Sequence, residues 1–370
     1  MKDRIKSIVP FVGLALLFLA LSLLTDKFLT TRNLANVLRR SAPVVIMATG
    51  MTFVIVSGGI DLSVGSVLAL AGVCGTMAIS RGIPLSVALG CGGVAAIAYA
   101  AYCCAGGMRG FWRVASVVGI AIVDGMLLSL CLHLAAGTPV GLAGGILVAL
   151  LIGASCGMAN GILSVGLRIP PFIATLGMMG IVRGSVLILT DGVAVTDNLP
   201  PSFERFGTDG LFGVVPWQII VMLGVVLLGA WTMRCTPLGR YAYAIGSNRE
   251  AAYHSGIPVS RYSVVIYTLA GCLTGLAGIM TMAYLDGGQP TEGAGMELTV
   301  IAAVVIGGGS LSGGEGNIIG AVVGALLMAV LLNGCVLLGV SPYVQQLVIG
   351  ALIVAAVALD QYLRRRGMAE

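Results

Sequence analysis

Apolar residues gather in long, nearly uninterrupted runs at about 8–24, 43–57, 62–79, 84–105, 114–135, 141–166, 171–190, 214–233, 262–284, 297–310, 317–338 and 343–359. Each run approaches the roughly 20 residues that a helix needs to cross a bilayer, so the pattern predicts about twelve spans joined by short polar connections. Composition agrees: 58% of the 370 residues are hydrophobic and only 9% are charged. That is too little polar surface to coat a water-soluble domain, whereas lipid tolerates an apolar exterior around helices that satisfy their own backbones. The expected fold is an all-α polytopic membrane protein of about 10–12 transmembrane helices, a single transmembrane domain over residues 1–370. The first run, preceded by Lys2, Arg4 and Lys6, reads as an uncleaved anchor because a further membrane segment follows soon after it.

An even number of spans puts both termini on one side. On that model thirteen basic residues lie on the terminal side and six on the other, which predicts cytoplasmic termini. Four of the six, Lys27, Arg32, Arg39 and Arg40, fall in the 26–42 connection, whose pattern reads as an amphipathic interfacial stretch with snorkelling basic side chains. Trp112, Trp217 and Trp231 fall at predicted span ends, where amphipathic rings belong. The net charge of +5 is scattered between apolar runs and forms no basic and aromatic patch for nucleic acid.

The candidate chemistry is mostly exclusion. Nine cysteines include no Cys-x-x-Cys pair and read as reduced, small core residues. Two histidines, His133 and His254, supply neither a metal cluster nor a triad. The lysines are Lys2, Lys6 and Lys27, so no Gly-Lys-Ser/Thr phosphate loop exists and the chain cannot hold ATP in the Walker manner. No catalytic residue, metal site or bound cofactor is expected.

Two stretches interrupt the apolar pattern informatively. Residues 238–258 carry Ser247-Asn248-Arg249-Glu250-Ala251-Ala252-Tyr253-His254-Ser255-Gly256. Ser247 as N-cap with Glu250 three residues on predicts a capping box, Gly256 a left-handed residue past the helix end, and Pro258 a stop. The segment reads as a short helix outside the membrane with no core of its own: a membrane-surface helix or a docking knob for another protein. Ser57-Gly58-Gly59-Ile60-Asp61-Leu62-Ser63 predicts a broken helix. Its Asp61 either caps a helix beginning at Leu62 or contacts solute on a translocation pathway; Gly58, Gly59, Ser63, Asn160 and Thr175 are its companions as pathway or gate candidates. A related stretch, Gly307-Gly308-Gly309-Ser310-Leu311-Ser312-Gly313-Gly314, repeats a Gly pair ahead of Leu-Ser and suggests an internal duplication. Arg183 is a mid-membrane charge expected to snorkel, pair with a carboxylate or meet solute. Asn333, Gln345 and Gln346 are expected to bond between helices, and glycines four apart, such as Gly153, Gly157 and Gly161, to let helices approach closely. The acidic, turn-rich connections at 191–213 and 286–297 are candidate docking or gating loops.

Three segments together resemble one family: Gly58-Gly59-Ile60-Asp61-Leu62-Ser63-Val64-Gly65, Pro170-Pro171-Phe172-Ile173-Ala174-Thr175-Leu176-Gly177, and Ala244-Ile245-Gly246-Ser247-Asn248 running into Glu250-Ala251-Ala252 and Ser255-Gly256-Ile257. They are similar to the permease subunits of ribose-type sugar ABC importers, within the branched-chain amino-acid/ribose permease superfamily. The resemblance implies a type II importer fold of about ten spans in a bacterial inner membrane. It further implies an ATP-binding cassette subunit, a periplasmic sugar-binding protein and a second permease copy or paralogue as partners. It makes Ser247, Asn248, Arg249, Glu250, Ala251, Ala252 and Gly256 the coupling helix that meets the ATPase. Residues of about 81–140 depart from the family pattern and read as an inserted helical hairpin. An ion-coupled secondary transporter using Asp61 is the alternative reading.

Overall fold

A computed structural model describes residues 2–80, 140–211 and 215–367. Residues 81–139 of the expected hairpin at 81–140, with Trp112 and His133, lie outside the described residues. In chain order the described helices are α1 (Lys2–Leu24), α2 (Thr31–Val56), α3 (Val64–Ser80), α4 (Leu142–Gly166), α5 (Pro171–Thr190), α6 (Pro201–Thr208), α7 (Trp217–Cys235), α8 (Pro237–Ser247), α9 (Arg249–His254), α10 (Val259–Tyr284), α11 (Met296–Ile306), α12 (Ile318–Leu337) and α13 (Pro342–Gly367). A two-residue strand pair, β1 (Gly210–Leu211) and β2 (Val215–Pro216), sits between α6 and α7.

Helices α2, α4, α5, α7, α10 and α12 are each long and apolar enough to cross a membrane. Shorter apolar stretches, Pro10–Leu24, Val64–Ser80, Met296–Ile306 and Pro342–Ala358, coincide with the remaining runs outside 81–140. The apolar pattern differs from the structure in one place: residues 31–42 of the 26–42 connection are helically continuous with the run at 43–57. Thr30 accepts the Asn33 N–H at 3.3 Å and starts a single helix that runs through Pro43 to Val56. From Ser41 onward every residue of that helix is buried, as a helix apolar on all sides requires.

The chain forms two compact units that interleave in sequence: Met1–Ile60, Ile219–Ile257 and Gly295–Glu370 make one, Asp61–Gln218 and Pro258–Ala294 the other. In the first, α12 packs on α1, α2 and α11. Gly324 faces the Ala303 carbonyl and Gly320 the Gly307 carbonyl, so closely that a Cβ at either would overlap backbone. Asn33 and Asn333 exchange side-chain hydrogen bonds of 3.0 and 2.9 Å, joining α2 to α12. In the second unit α4 lies along α10, with Gly153 and Gly157 against Gly271, Gly275 and the Tyr267 carbonyl. The small residues spaced by four thus do the packing expected of them.

The turn-rich connections that follow α5 and α10 meet within the second unit. Val195 and Gly288 pair in an antiparallel bridge through bonds of 2.9 and 2.8 Å. Arg183 is explained there too. Its guanidinium donates to the backbone carbonyls of Pro290 at 2.8 Å and Glu292 at 3.0 Å, so α5 holds the 286–297 connection.

Candidate functional site

The polar stretch at 238–258 is two helices rather than one. Pro237 occupies the first turn of α8, where its missing N–H costs nothing, and α8 runs to Ser247. Asn248 then leaves helical geometry (φ −158°, ψ 103°), and its Oδ1 accepts the Ala251 N–H at 2.9 Å. The cap of α9 is therefore Asn248; Ser247 closes the preceding helix, and the expected Ser247–Glu250 capping box is replaced. Asn at this position serves as well as Ser. The end of α9 is as predicted. Gly256 takes φ +81°, its N–H reaches Tyr253 O at 3.0 Å, and Ile257 N–H reaches Ala252 O at 3.1 Å, the paired bonds of a Schellman stop.

Segment α8–α9 is anchored on one side and bare on the other. Gly239, Ala242, Ile245 and Ala252 are buried, so the segment has a packing face that the sequence reading did not foresee. Ser247, Asn248, Arg249, Glu250, Ala251, Tyr253, His254, Ser255 and Gly256 are exposed. Tyr253 is 69% exposed and meets His254 edge-on, with ring centroids 5.6 Å apart.

A second polar cluster lies in the other unit. Asp61, Ser63 and Asn160 are each at most 2% exposed. Asp61 Oδ1 accepts the Ser63 N–H at 2.8 Å and the Ser63 hydroxyl at 2.6 Å. Asn160 Nδ2, from α4, donates to Ser63 Oγ at 2.8 Å and faces both Asp61 oxygens at 3.4 Å. Helix α3 starts at Val64, two residues later than expected. Ser63 O accepts the first helical bond, from Val67 N at 2.9 Å, so Asp61 closes a turn before the cap position. Asn160 Oδ1 is buried without a partner among the described residues. Thr175, fully buried on α5, donates back to Pro171 O at 3.0 Å. Gly58 and Gly59 lie in the first unit as the terminator of α2: Gly58 takes φ +80°, and Gly59 N–H reaches Val54 O at 2.9 Å.

Known proteins decide what kind of molecule carries these features. The family model described as branched-chain amino acid transport system / permease component matches residues 33–111 and 102–357. The chain belongs to this permease family. Its relatives include the ribose import permease protein RbsC of Escherichia coli K12, 38% identical over 353 residues that cover 94% of this chain and 92% of that one. The D-allose transport system permease protein AlsC of the same strain is 31% identical over 344 residues, covering 93% and 88%. A probable ABC transporter permease protein, YphD, is 32% identical over 363 residues, covering 98% and 92%. No solved structure matches. The permease is thus a multi-pass transport component of the ribose-type group, and nothing in these likenesses supports the ion-coupled alternative.

Proposed function

We propose that this chain is the membrane-spanning permease subunit of an ATP-driven importer for a monosaccharide, of the ribose type or close to it. A periplasmic sugar-binding protein delivers the sugar, two permeases form the pathway as a dimer in the bacterial inner membrane, and an ATP-binding cassette subunit hydrolyses ATP on the cytoplasmic side. Residues 1–370 act as one permease domain with cytoplasmic termini. The sugar assignment draws on the ribose and D-allose permeases among the relatives. The lack of a Gly-Lys-Ser/Thr phosphate loop in the sequence supports placing ATP on a partner subunit.

The observation that carries the reading is the α8–α9 segment, anchored through buried alanines and glycine and bare along Ser247–Ala251 and Tyr253–Gly256. We assign Ser247, Asn248, Arg249, Glu250, Ala251, Ala252 and Gly256 to coupling with the ATPase. Asp61, Ser63, Asn160 and Thr175 in one unit, and Gly58 and Gly59 in the other, are assigned to the pathway or its gate. Asn160 Oδ1 supports the former group as a buried polar acceptor without a partner among the described residues. Co-purification from detergent tests the coupling assignment. Glu250→Ala or Gly256→Val, inserted normally in the membrane, is expected to retain several-fold less ATP-binding subunit than the unsubstituted permease. Retention at the unsubstituted level by both variants contradicts docking on α9.

A further inference from the structure

The two glycine-rich stretches that looked like copies in the sequence end their helices in the same way. At the end of α2, Ser57, Gly58 and Gly59 N–H reach Phe53, Ile55 and Val54 O at 3.1, 2.9 and 2.9 Å. At the end of α11, Gly307, Gly308 and Gly309 N–H reach Ala303, Val305 and Val304 O at 2.9, 2.9 and 2.8 Å. The middle glycine is left-handed in both, with φ +80° at Gly58 and +93° at Gly308. The loop after α11 then turns back and bonds to the end of α2. Gly314 N–H reaches Val56 O at 2.8 Å, satisfying a carbonyl that a helix end leaves without an intrahelical partner.

Gly246, near the end of α8, sits on this junction. A Cβ there would overlap the Val56 carbonyl and stand 2.6 Å from Gly314 N. A Cβ on Gly313 would lie 2.8 Å from Gly246 O and 2.9 Å from Gly58 Cα, and one on Gly314 would lie 2.6 Å from Ser247 Oγ. One turn earlier, the Tyr243 hydroxyl donates to Gly316 O at 2.6 Å. Burial pushes the Tyr243 phenol above its ordinary range, with the Arg234 charge opposing in part, so this donor keeps its proton at neutral pH. Three segments distant in sequence therefore touch backbone to backbone, with no side chain between them to change rotamer and absorb displacement.

We propose that Gly246, with Tyr243 as its strap, is the transmission joint of the permease: a positioning pair that passes movement of α9 to the ends of α2 and α11 and the start of α12. The inference rests on α9 being the ATPase contact, but it concerns the step after docking. A docked α9 whose parent helix rocked on loose side chains would dissipate the stroke. Backbone contact at Gly246 and the Tyr243 bond make α8 and the two helix ends move together.

The test uses the full complex of permease, ATP-binding subunit and sugar-binding protein in proteoliposomes, with D-ribose as the transported probe. Subunit retention, ATP hydrolysis and sugar moved per ATP are measured together. Tyr243→Phe removes one hydrogen bond and leaves the ring. It is expected to assemble fully and hydrolyse ATP within about twofold of the unsubstituted complex, while sugar moved per ATP falls roughly fivefold, the scale of one hydrogen bond. Gly246→Ala is expected to fall further by the same measure. Gly224→Ala, where an added Cβ meets nothing within 4 Å, is expected to leave all three readouts unchanged. Sugar moved per ATP at the unsubstituted level in Tyr243→Phe overturns the joint, whatever the yield of Gly246→Ala. Loss of the ATP-binding subunit from Tyr243→Phe also overturns it, because the pair would then serve docking. If the docking reading itself is wrong, Glu250→Ala retains its ATP-binding subunit, an outcome separate from either.

Discussion

The start of α9 is held by one side-chain hydrogen bond, from the Ala251 N–H to Asn248 Oδ1 at 2.9 Å, and its end by a single left-handed glycine. Gly256 could be read as a left-handed stop because φ +81° is a property of one position. The cap of α9 was misplaced by one residue, since Ser247 and Asn248 are both good caps and only tertiary anchoring of α8 decides between them. Asn248→Ala is expected to destabilise α9 by about 1 kcal/mol, with Asn248→Ser restoring most of it. Hydrogen exchange of the Ala251 amide reads this directly, and equal protection in the alanine variant would contradict the cap. Arg183 was recognised as needing a partner, but its partners are carbonyls 107 and 109 residues away, which no local pattern encodes. The same holds for Asn160, which lies 97 residues from Ser63. Asn160→Ala removes the donor to Ser63 Oγ and leaves buried oxygens short of a partner, at a cost of about 1–3 kcal/mol. Thermal unfolding in detergent checks this, and an unchanged midpoint would show that the cluster adds nothing to stability.

Elements were the most readable scale, because apolar length is what a bilayer selects. Each predicted run outside 81–140 coincides with a described helix. The continuity of 31–42 with the run at 43–57 has a definite cause. Arg32, Asn33, Asn36, Arg39 and Arg40 make the first turns of α2 look like a surface segment, yet the helix continues because Pro43 lies within it without ending it and Asn33 is drawn in by Asn333. Removing either asparagine is expected to cost about 0.6 kcal/mol, the usual scale of an interhelical bond in membranes. The double variant should cost little more than either single one, and strict additivity in a double-mutant cycle would contradict a direct pair. Helix packing follows the same logic. Gly157→Leu places a side chain into the Tyr267 carbonyl and is expected to prevent α4 from packing on α10, whereas Gly180→Leu, whose Cβ has nothing within 4 Å, is expected to be tolerated. Accumulation of folded protein in membranes distinguishes the two.

At the scale of the whole molecule, the sequence conveyed the class and left the internal division hidden. Asp61 begins the second unit one residue after Ile60 ends the first, in a stretch that reads as a single interrupted run. Interleaved units of this kind depend on which helices share faces, and the short connections between apolar runs carry no trace of that. The resemblance in three separated segments supplied what periodicity could not, and the family match and the ribose-type relatives agree with it. The proposed function has the permease draw its energy from an ATPase through α8–α9. Uptake of D-ribose into proteoliposomes holding the permease, its ATP-binding subunit and the sugar-binding protein tests that most directly. The account predicts uptake that requires ATP, stops with vanadate and is indifferent to a protonophore. Uptake that persists without the ATP-binding subunit and collapses with the protonophore would contradict it.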